Sequence, residues 1–181
     1  MWDGYHPAMP DIASFSITAP LRNGTEVEIR ALRPSDRDAL VDAARRTSDQ
    51  SLYRRFFGVK REFNDREVAG FVEVDFIHHV ALVALTHSGG DELIVAGARY
   101  IVVRPGVAEF ACTVVDEFQG QGIASALLRQ LVQLARATGV TELIAEVMPE
   151  NTAMLRVLER SGVRRQMRRE GGVVHVTLQL D

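Results

Sequence analysis

A chain of 181 residues is long enough for one domain with a substantial core and too short for two of ordinary size. Hydrophobic residues make up 46% and charged residues 25%, a balance that excludes disordered, collagenous and fibrous classes. Twenty-one Lys and Arg against 24 Asp and Glu leave a net charge of -3, so no global field favours nucleic acid and any anion site has to be local.

Residues 1–20 carry no Lys or Arg and are broken by Pro7, Pro10 and Pro20, so they lack both regions of a secretory signal and read as an N-terminal arm or tail. Residues 26–32 alternate Val27, Ile29 and Ala31 with charged neighbours, which predicts the first strand. Ser35 and Asp38 then resemble a capping pair ahead of a helix running to about Arg46. Residues 49–57 predict a second helix ending at Gly58, and Asn64 caps a third through about Val72. Residues 78–86, 93–103 and 107–115 are β-rich runs separated by Ser88-Gly89-Gly90-Asp91 and by Pro105-Gly106, an antiparallel meander. The uninterrupted apolar run at 80–85 is far too short to cross a bilayer.

Ala124, Leu127, Leu128, Leu131, Leu134 and Ala135 recur at helical spacing until Thr138-Gly139. A strand over 142–147 follows, then a helix capped by Asn151 and a final hairpin around Gly171-Gly172. The meander feeds one strand-helix-strand crossover, whose two strands pair in parallel. The expected fold is therefore α+β, a single domain over 21–181 built on a mixed, mostly antiparallel sheet with helices on both faces.

Gln119-Gly120-Gln121-Gly122-Ile123-Ala124-Ser125 joins the last meander strand to the long helix. Its glycines permit close backbone approach, and the unpaired amides at the helix start suit a diphosphate. The absence of a basic residue from 120–125 separates this cradle from a nucleotide-triphosphate loop. A dinucleotide-binding turn is a nearer rival, weakened by Ser125 in the third glycine's place and by the single strand-helix-strand unit. A glycine-rich turn without a ligand is the bland alternative.

Gln119-Gly120-Gln121-Gly122-Ile123-Ala124 resembles the Gln/Arg-x-x-Gly-x-Gly/Ala signature of the GNAT N-acetyltransferases, and Glu150-Asn151-Thr152-Ala153-Met154 is similar to their second motif. The resemblance covers roughly residues 26–180. It implies an acyltransferase that takes acetyl-CoA as cosubstrate, and the residues themselves suggest no metal site. Thr113 and Val115 would meet the pantetheine arm, Gln119, Gly120, Gln121, Gly122, Ile123, Ala124 and Ser125 the diphosphate, and Asn151 belongs with these coenzyme residues. Ser51-Leu52-Tyr53-Arg54-Arg55-Phe56-Phe57 and Ala108-Glu109-Phe110-Ala111 further resemble the acetyltransferase domains of bacterial Pat-type protein lysine acetyltransferases. That similarity implies a protein lysine acceptor, with a small amine or amino acid as the alternative, and places a general-base glutamate at Glu109. From the residues alone Glu109 is either that base or a solvated carboxylate on a strand.

Leu158 occupies the position where many family members carry a tyrosine acid, which raises the rival of a coenzyme-binding sensor without turnover. Cys112, the one cysteine, cannot form an internal disulfide and fits a reducing cytoplasm. Lying in a β run with no evident basic partner, it reads as a buried free thiol. His78 and His79 are adjacent and point to opposite faces, so they share no metal. Arg156, Arg160, Arg164, Arg165, Arg168 and Arg169 form either a solvated face or a site for the coenzyme's 3'-phosphate or an acidic substrate. Tyr53, Arg54, Arg55, Phe56 and Phe57 border the acceptor channel or pack as core. No nucleic acid or membrane partner is expected, and a homodimer is compatible with the reading.

Overall fold

The computed structural model describes residues 10–58, 60 and 62–181. Most of the expected arm, residues 1–9, lies outside them. Strands β1 (Ser16–Pro20) and β2 (Glu26–Ala31) precede helices α1 (Arg37–Arg45), α2 (Asp49–Phe56) and α3 (Asp65–Val72). The meander follows as β3 (His79–Ser88), β4 (Asp91–Arg104) and β5 (Val107–Val114), then α4 (Ile123–Ala137), β6 (Glu142–Val147), α5 (Thr152–Glu159), β7 (Arg164–Glu170) and β8 (Val173–Gln179). All strands join one eight-stranded sheet in the order β1-β2-β3-β4-β5-β6-β8-β7. Every neighbouring pair is antiparallel except β5 and β6, which run parallel as the crossover requires.

Two sequence expectations need correction. Residues 16–20 are a paired edge strand, so the sheet starts within the expected arm and the 26–32 strand is the second. Ile17 and Ala19 turn inward between exposed Ser16 and Thr18, a short alternation that the prolines obscure. The anticipated Ser35–Asp38 cap does not form. A 3-10 turn over Pro34–Asp36 leads into α1 instead, because the Asp36 carboxylate accepts two hydrogen bonds from the buried Arg30 guanidinium, both at 2.8 Å, and one from Arg33 N–H. These bonds outweigh the cost of burial and hold the Asp36 carboxyl below its ordinary pKa. The cap at Asn64 forms as read, and Ser48, which the sequence reading did not name, caps α2; each side chain accepts from an amide three residues on.

The sheet has a core on each face. On β3, Val80, Leu82 and Ala84 face α4, while Ala81, Val83 and Leu85 face α1 and α3. Leu127, Leu128, Leu131 and Ala135 of α4 and Leu155 and Leu158 of α5 belong to the first cluster, Ala43 of α1 and Val72 of α3 to the second. Opposite Ala84 and Leu85, β4 gains an extra residue: Ala84 pairs with Ala96 and Leu85 with Ile94. This bulge puts the consecutive residues Val95 and Ala96 on the same face, with Ile94 on the other, and frees the Val95 carbonyl to accept the Val115 amide at 2.9 Å.

Candidate active site

Strands β5 and β6 pair over three residues only, Val107, Ala108 and Glu109 against Glu142, Leu143 and Ile144. Beyond Glu109, β5 stays with β4 while β6 stays with β8, so the two parallel strands part. A cavity of about 520 Å³ opens there, walled by β5 from Glu109 to Val114, by Ala145, Glu146 and Val147 of β6, by the glycine loop, and by α2 and α5. Glu109 sits where the strands begin to part, on an exposed position facing into this space.

The structure brings Glu109, Thr113, Gln119, Gly120, Gly122, Ile123, Ala124, Ser125 and Asn151 together around that one cavity. Val115 and Gln121 do not line it. Val115 is buried in the α1 and α3 core, its amide bonded to Val95 and its carbonyl to Phe118 N–H at 2.9 Å, so neither group is left for a pantetheine arm. Gln121 turns toward the β1–β2 connection. Its carbonyl accepts from Arg22 N–H at 3.2 Å and its side-chain oxygen from Asn23 Nδ2 at 3.2 Å, which pins the loop from outside.

Gly120 and Gly122 have φ of +78° and +94°, values that carry a steric penalty for residues with a Cβ. Gly122 ends the loop, and its carbonyl accepts the first α4 hydrogen bond from Ala126 N–H at 3.0 Å. The amides of the first α4 turn have no acceptor within the helix and give its N-terminus a partial positive charge. Arg22, Arg156 and Arg160 stand on the same cavity, which makes this part of it cationic. Arg164, Arg165, Arg168 and Arg169 lie instead along the fully exposed edge strand β7.

Polar bonds also lock the loop to α2. Asp116 accepts from Ser48 N–H at 2.9 Å, Ser48 Oγ at 2.7 Å and Ser51 Oγ at 3.3 Å, and these bonds hold its carboxyl below the usual value despite some burial. Gln119 Nε2 donates to Ser51 Oγ at 3.1 Å and to the Val114 carbonyl at 3.0 Å. Sequence reasoning missed Arg22, Asn23, Ser48 and Asp116, because each acts across a long sequence separation that no local pattern encodes.

Arg54, Arg55, Phe56 and Phe57 supply the α2 wall. Phe56 also packs in an aromatic cluster, its ring 5.3 Å from Phe63 and 6.0 Å from Phe71, whereas Tyr53 is exposed and does not line the cavity. Cys112 does have a basic neighbour in Arg55, contrary to the sequence reading. Burial nevertheless dominates and pushes its thiol up to about 12, with Arg55 only partly opposing. Leu158 is fully buried in the α4 and α5 core, and no tyrosine lines the cavity among the described residues.

His79 lies outside the cavity lining and packs against Arg99 of β4. Its Nε2 accepts from Arg99 Nη1 at 3.0 Å, and burial together with Arg99 pushes its pKa down to about 4. Among the described residues Glu28, His87 and Glu92 bring possible metal-ligand atoms within 4.8 Å of one another, a grouping the sequence did not suggest. None of the three lines the cavity, and His87 and Glu28 already share a hydrogen bond at 2.9 Å. No helix among the described residues is long and apolar enough to cross a membrane.

A family model described as an acetyltransferase (GNAT) domain matches residues 26–164. An acetyltransferase of Pseudomonas aeruginosa is 31% identical over 135 residues, 74% of this chain and 73% of that protein. Acetyltransferase Pat of Mycolicibacterium smegmatis is 32% identical over 158 residues, 83% of this chain, which spans about half of that longer relative (46%). Among solved structures, the GNAT domain of Streptomyces lividans PAT superimposes with a TM-score of 0.82 at 32% identity, covering 91% of this chain and 96% of that one.

Proposed function

The chain belongs to the GNAT acetyltransferase family and is an acyl-CoA N-acyltransferase, and from that premise we propose that it moves an acetyl group from acetyl-CoA to a protein lysine, with Glu109 as general base. The observation that carries this reading is the parting of β5 and β6 at Glu109, which sets a carboxylate beside a cavity whose other end is a glycine cradle with unpaired amides. The cradle and Arg22, Arg156 and Arg160 suit the coenzyme's phosphates. The open backbone of the parting strands suits the pantetheine amides, with Thr113 on that wall.

The chemistry follows from the acceptor's charge. A lysine ammonium with a pKa of about 10.4 has to lose a proton near neutral pH, at a cost of roughly 4 to 5 kcal/mol. Glu109 takes that proton directly or through water. The freed nitrogen attacks the thioester carbon, the C–S bond breaks and the electron pair leaves on sulfur. A thiol pKa of about 8.5 lets the thiolate leave without a tyrosine acid, which suits a cavity walled without one. Holding amine and thioester together supplies much of the acceleration. The protein acceptor rests on the likeness to Pat and to the PAT domain, and the cytoplasm on the lone thiol Cys112.

Coenzyme-thiol release with acetyl-CoA, measured against proteins from the same cell and a panel of amines and amino acids, tests the reading. Faster acetylation of lysines on one or a few proteins is the expected result. A single small amine that outcompetes every protein at matched concentration would replace the acceptor. Coenzyme binding without thiol release on any acceptor would make the chain a sensor.

A further inference from the structure

A second cavity of about 120 Å³ lies on the opposite side of the β5 wall, beneath α1, α2 and α3. It shares Arg55, Phe56, Ala111 and Thr113 with the active-site cavity, so the two spaces meet at the stretch of β5 next to Glu109. Small residues of the sheet, Ala96, Gly97 and Ala111, leave the room, and Leu40, Leu52, Val68 and Phe71 close it over. The volume approaches that of an engineered cavity of about 150 Å³ that accepts benzene, so a short carbon chain of four or five atoms fits.

Two cations stand in this largely apolar space. Arg55 and Arg99 both line it, and among the described residues neither forms an ion pair with a carboxylate. Arg99 Nη1 is held by the Phe71 carbonyl at 3.2 Å and by the neutral His79, and its guanidinium lies 5.1 Å from the Phe71 ring. Arg55 lies over the Phe56 ring at 4.7 Å, and Glu109 reaches it only through space. Burial pushes Arg99 down to about 10, with Arg55 adding repulsion, and burial likewise lowers Arg55. Two neighbouring half-buried cations, with Glu109 acting on Arg55 only through space, carry a desolvation cost that an entering anion would offset.

The geometry points to this cavity as a carboxylate-binding extension of the active site, in which Arg55 and Arg99 hold a carboxylate carried on a short chain. The inference rests on the acyl-CoA reading of the larger cavity. Two sources offer that chemistry: the terminal carboxylate of a dicarboxylic acyl-CoA such as succinyl-CoA, or a carboxylate on the acceptor. In the first case the reaction is unchanged in kind. The amine nitrogen bonds to the thioester carbon, the C–S bond breaks, the amine's proton goes to Glu109 or water, and the products are a carboxyacyl amide and coenzyme A.

The experiment has a binding arm and two rate arms. Calorimetry compares coenzyme A with two unreactive thioethers of matched chain, S-butyl-CoA and S-(3-carboxypropyl)-CoA. Turnover compares succinyl-CoA with butyryl-CoA on one amine, and acetyl-CoA with lysine against cadaverine as acceptor. A preference of at least tenfold for the carboxylate in the donor comparisons assigns it to the acyl chain, and the same preference only for lysine assigns it to the acceptor. Arg99→Gln and Arg55→Gln should each abolish the preference and Arg99→Lys restore most of it, with thermal melting checked for each variant. A carboxylate ratio below tenfold in all arms, or one that survives both glutamine variants, overturns the inference. Coenzyme A that binds while every carboxylate ratio stays near one defeats this inference alone. Failure to bind coenzyme A at all defeats the acyltransferase reading with it.

Discussion

The two long walls of the active-site cavity are built from different parts of the chain's chemistry. On the side proposed for the coenzyme, β5, the 119–122 loop and the start of α4 present backbone, while Gln119 bonds to Ser51 and Val114 and Gln121 turns away from the cavity to brace the loop. On the α2 side the cavity meets side chains: the Arg54 and Arg55 guanidiniums and the Phe56 and Phe57 rings. A backbone surface needs glycines with φ of +78° and +94° and therefore leaves a motif in the sequence. A side-chain surface leaves none, because many residue sets shape a channel equally well. The difference explains why the coenzyme is readable and the acceptor is not.

Glu109 stands where the walls meet, and its replacement is the largest expected effect. Glu109→Gln keeps size and most hydrogen bonding but removes the basic lone pair. Turnover at pH 7 should fall by about 10² to 10⁴ while coenzyme affinity stays nearly constant. The deficit should shrink as pH rises toward the amine's pKa of about 10.4, because more acceptor then arrives deprotonated. A deficit unchanged up to about pH 9.5 would mean that the carboxylate only positions substrate.

Gly122→Val tests the backbone wall. An added Cβ would come no closer than 3.7 Å to Arg22 within the protein, so the fold has room for it and the cost lies elsewhere. The φ of +94° strains any L side chain by about 1 to 2 kcal/mol, and the new methyls stand where a diphosphate would approach. Coenzyme affinity measured by calorimetry should drop at least tenfold, about 1.4 kcal/mol. Unchanged affinity would show that the glycines serve the turn and not the ligand.

The same contrast runs through what the sequence revealed of the fold. Helix α3 was legible because Asn64 caps it locally, α2 because Gly58 marks its end, and the β3–β5 meander because glycine turns punctuate it. Strand β1 was hidden by prolines and by having only five residues. The turn into α1 was misread because a buried ion pair between Arg30 and Asp36 overrides local capping. Val115 was misassigned to the site because the Val95 bulge, invisible in a run of apolar residues, draws its amide into the sheet. Arg55 beside Cys112 is a contact across 57 positions of sequence. Each miss is a tertiary contact prevailing over a local signal.

Asp116→Asn loosens the joint between the walls, since this carboxylate binds both Ser48 and Ser51 of the α2 cap. The site is exposed, so the stability loss should be of order 1 kcal/mol at neutral pH by denaturant titration. Because the folded pKa lies below the unfolded value of 3.8, the wild type's advantage should be full above about pH 4 and vanish as pH falls through the folded value. An advantage that does not decline at all as pH falls below 3.8 would assign it to shape and not to charge. The acceptor's KM should rise more than the coenzyme's if α2 walls the acceptor side as proposed, because the loop stays pinned by Arg22 and Asn23.

The smallest effect is expected at Cys112, whose thiol lines the cavity and so invites a covalent acetyl-enzyme mechanism. The electrostatics argue against it. Burial pushes the thiol up to about 12, and Arg55 recovers only part of that shift. At pH 8 roughly one molecule in ten thousand would carry the thiolate, the form that attacks a thioester. Direct attack by the amine needs no such intermediate, and Cys112 then acts as a small apolar packing group beside Val114 on the α4 face. Cys112→Ala should therefore keep turnover within about twofold of the wild type, far from the 10² or more that loss of a nucleophile or base brings. Iodoacetamide should label the native protein much more slowly than the unfolded chain, whose thiol titrates near 8.5. Rapid native labelling together with a large loss of turnover in the alanine variant would move the acetyl group onto Cys112, and the wall of β5 would then be a participant in the chemistry as well as its frame.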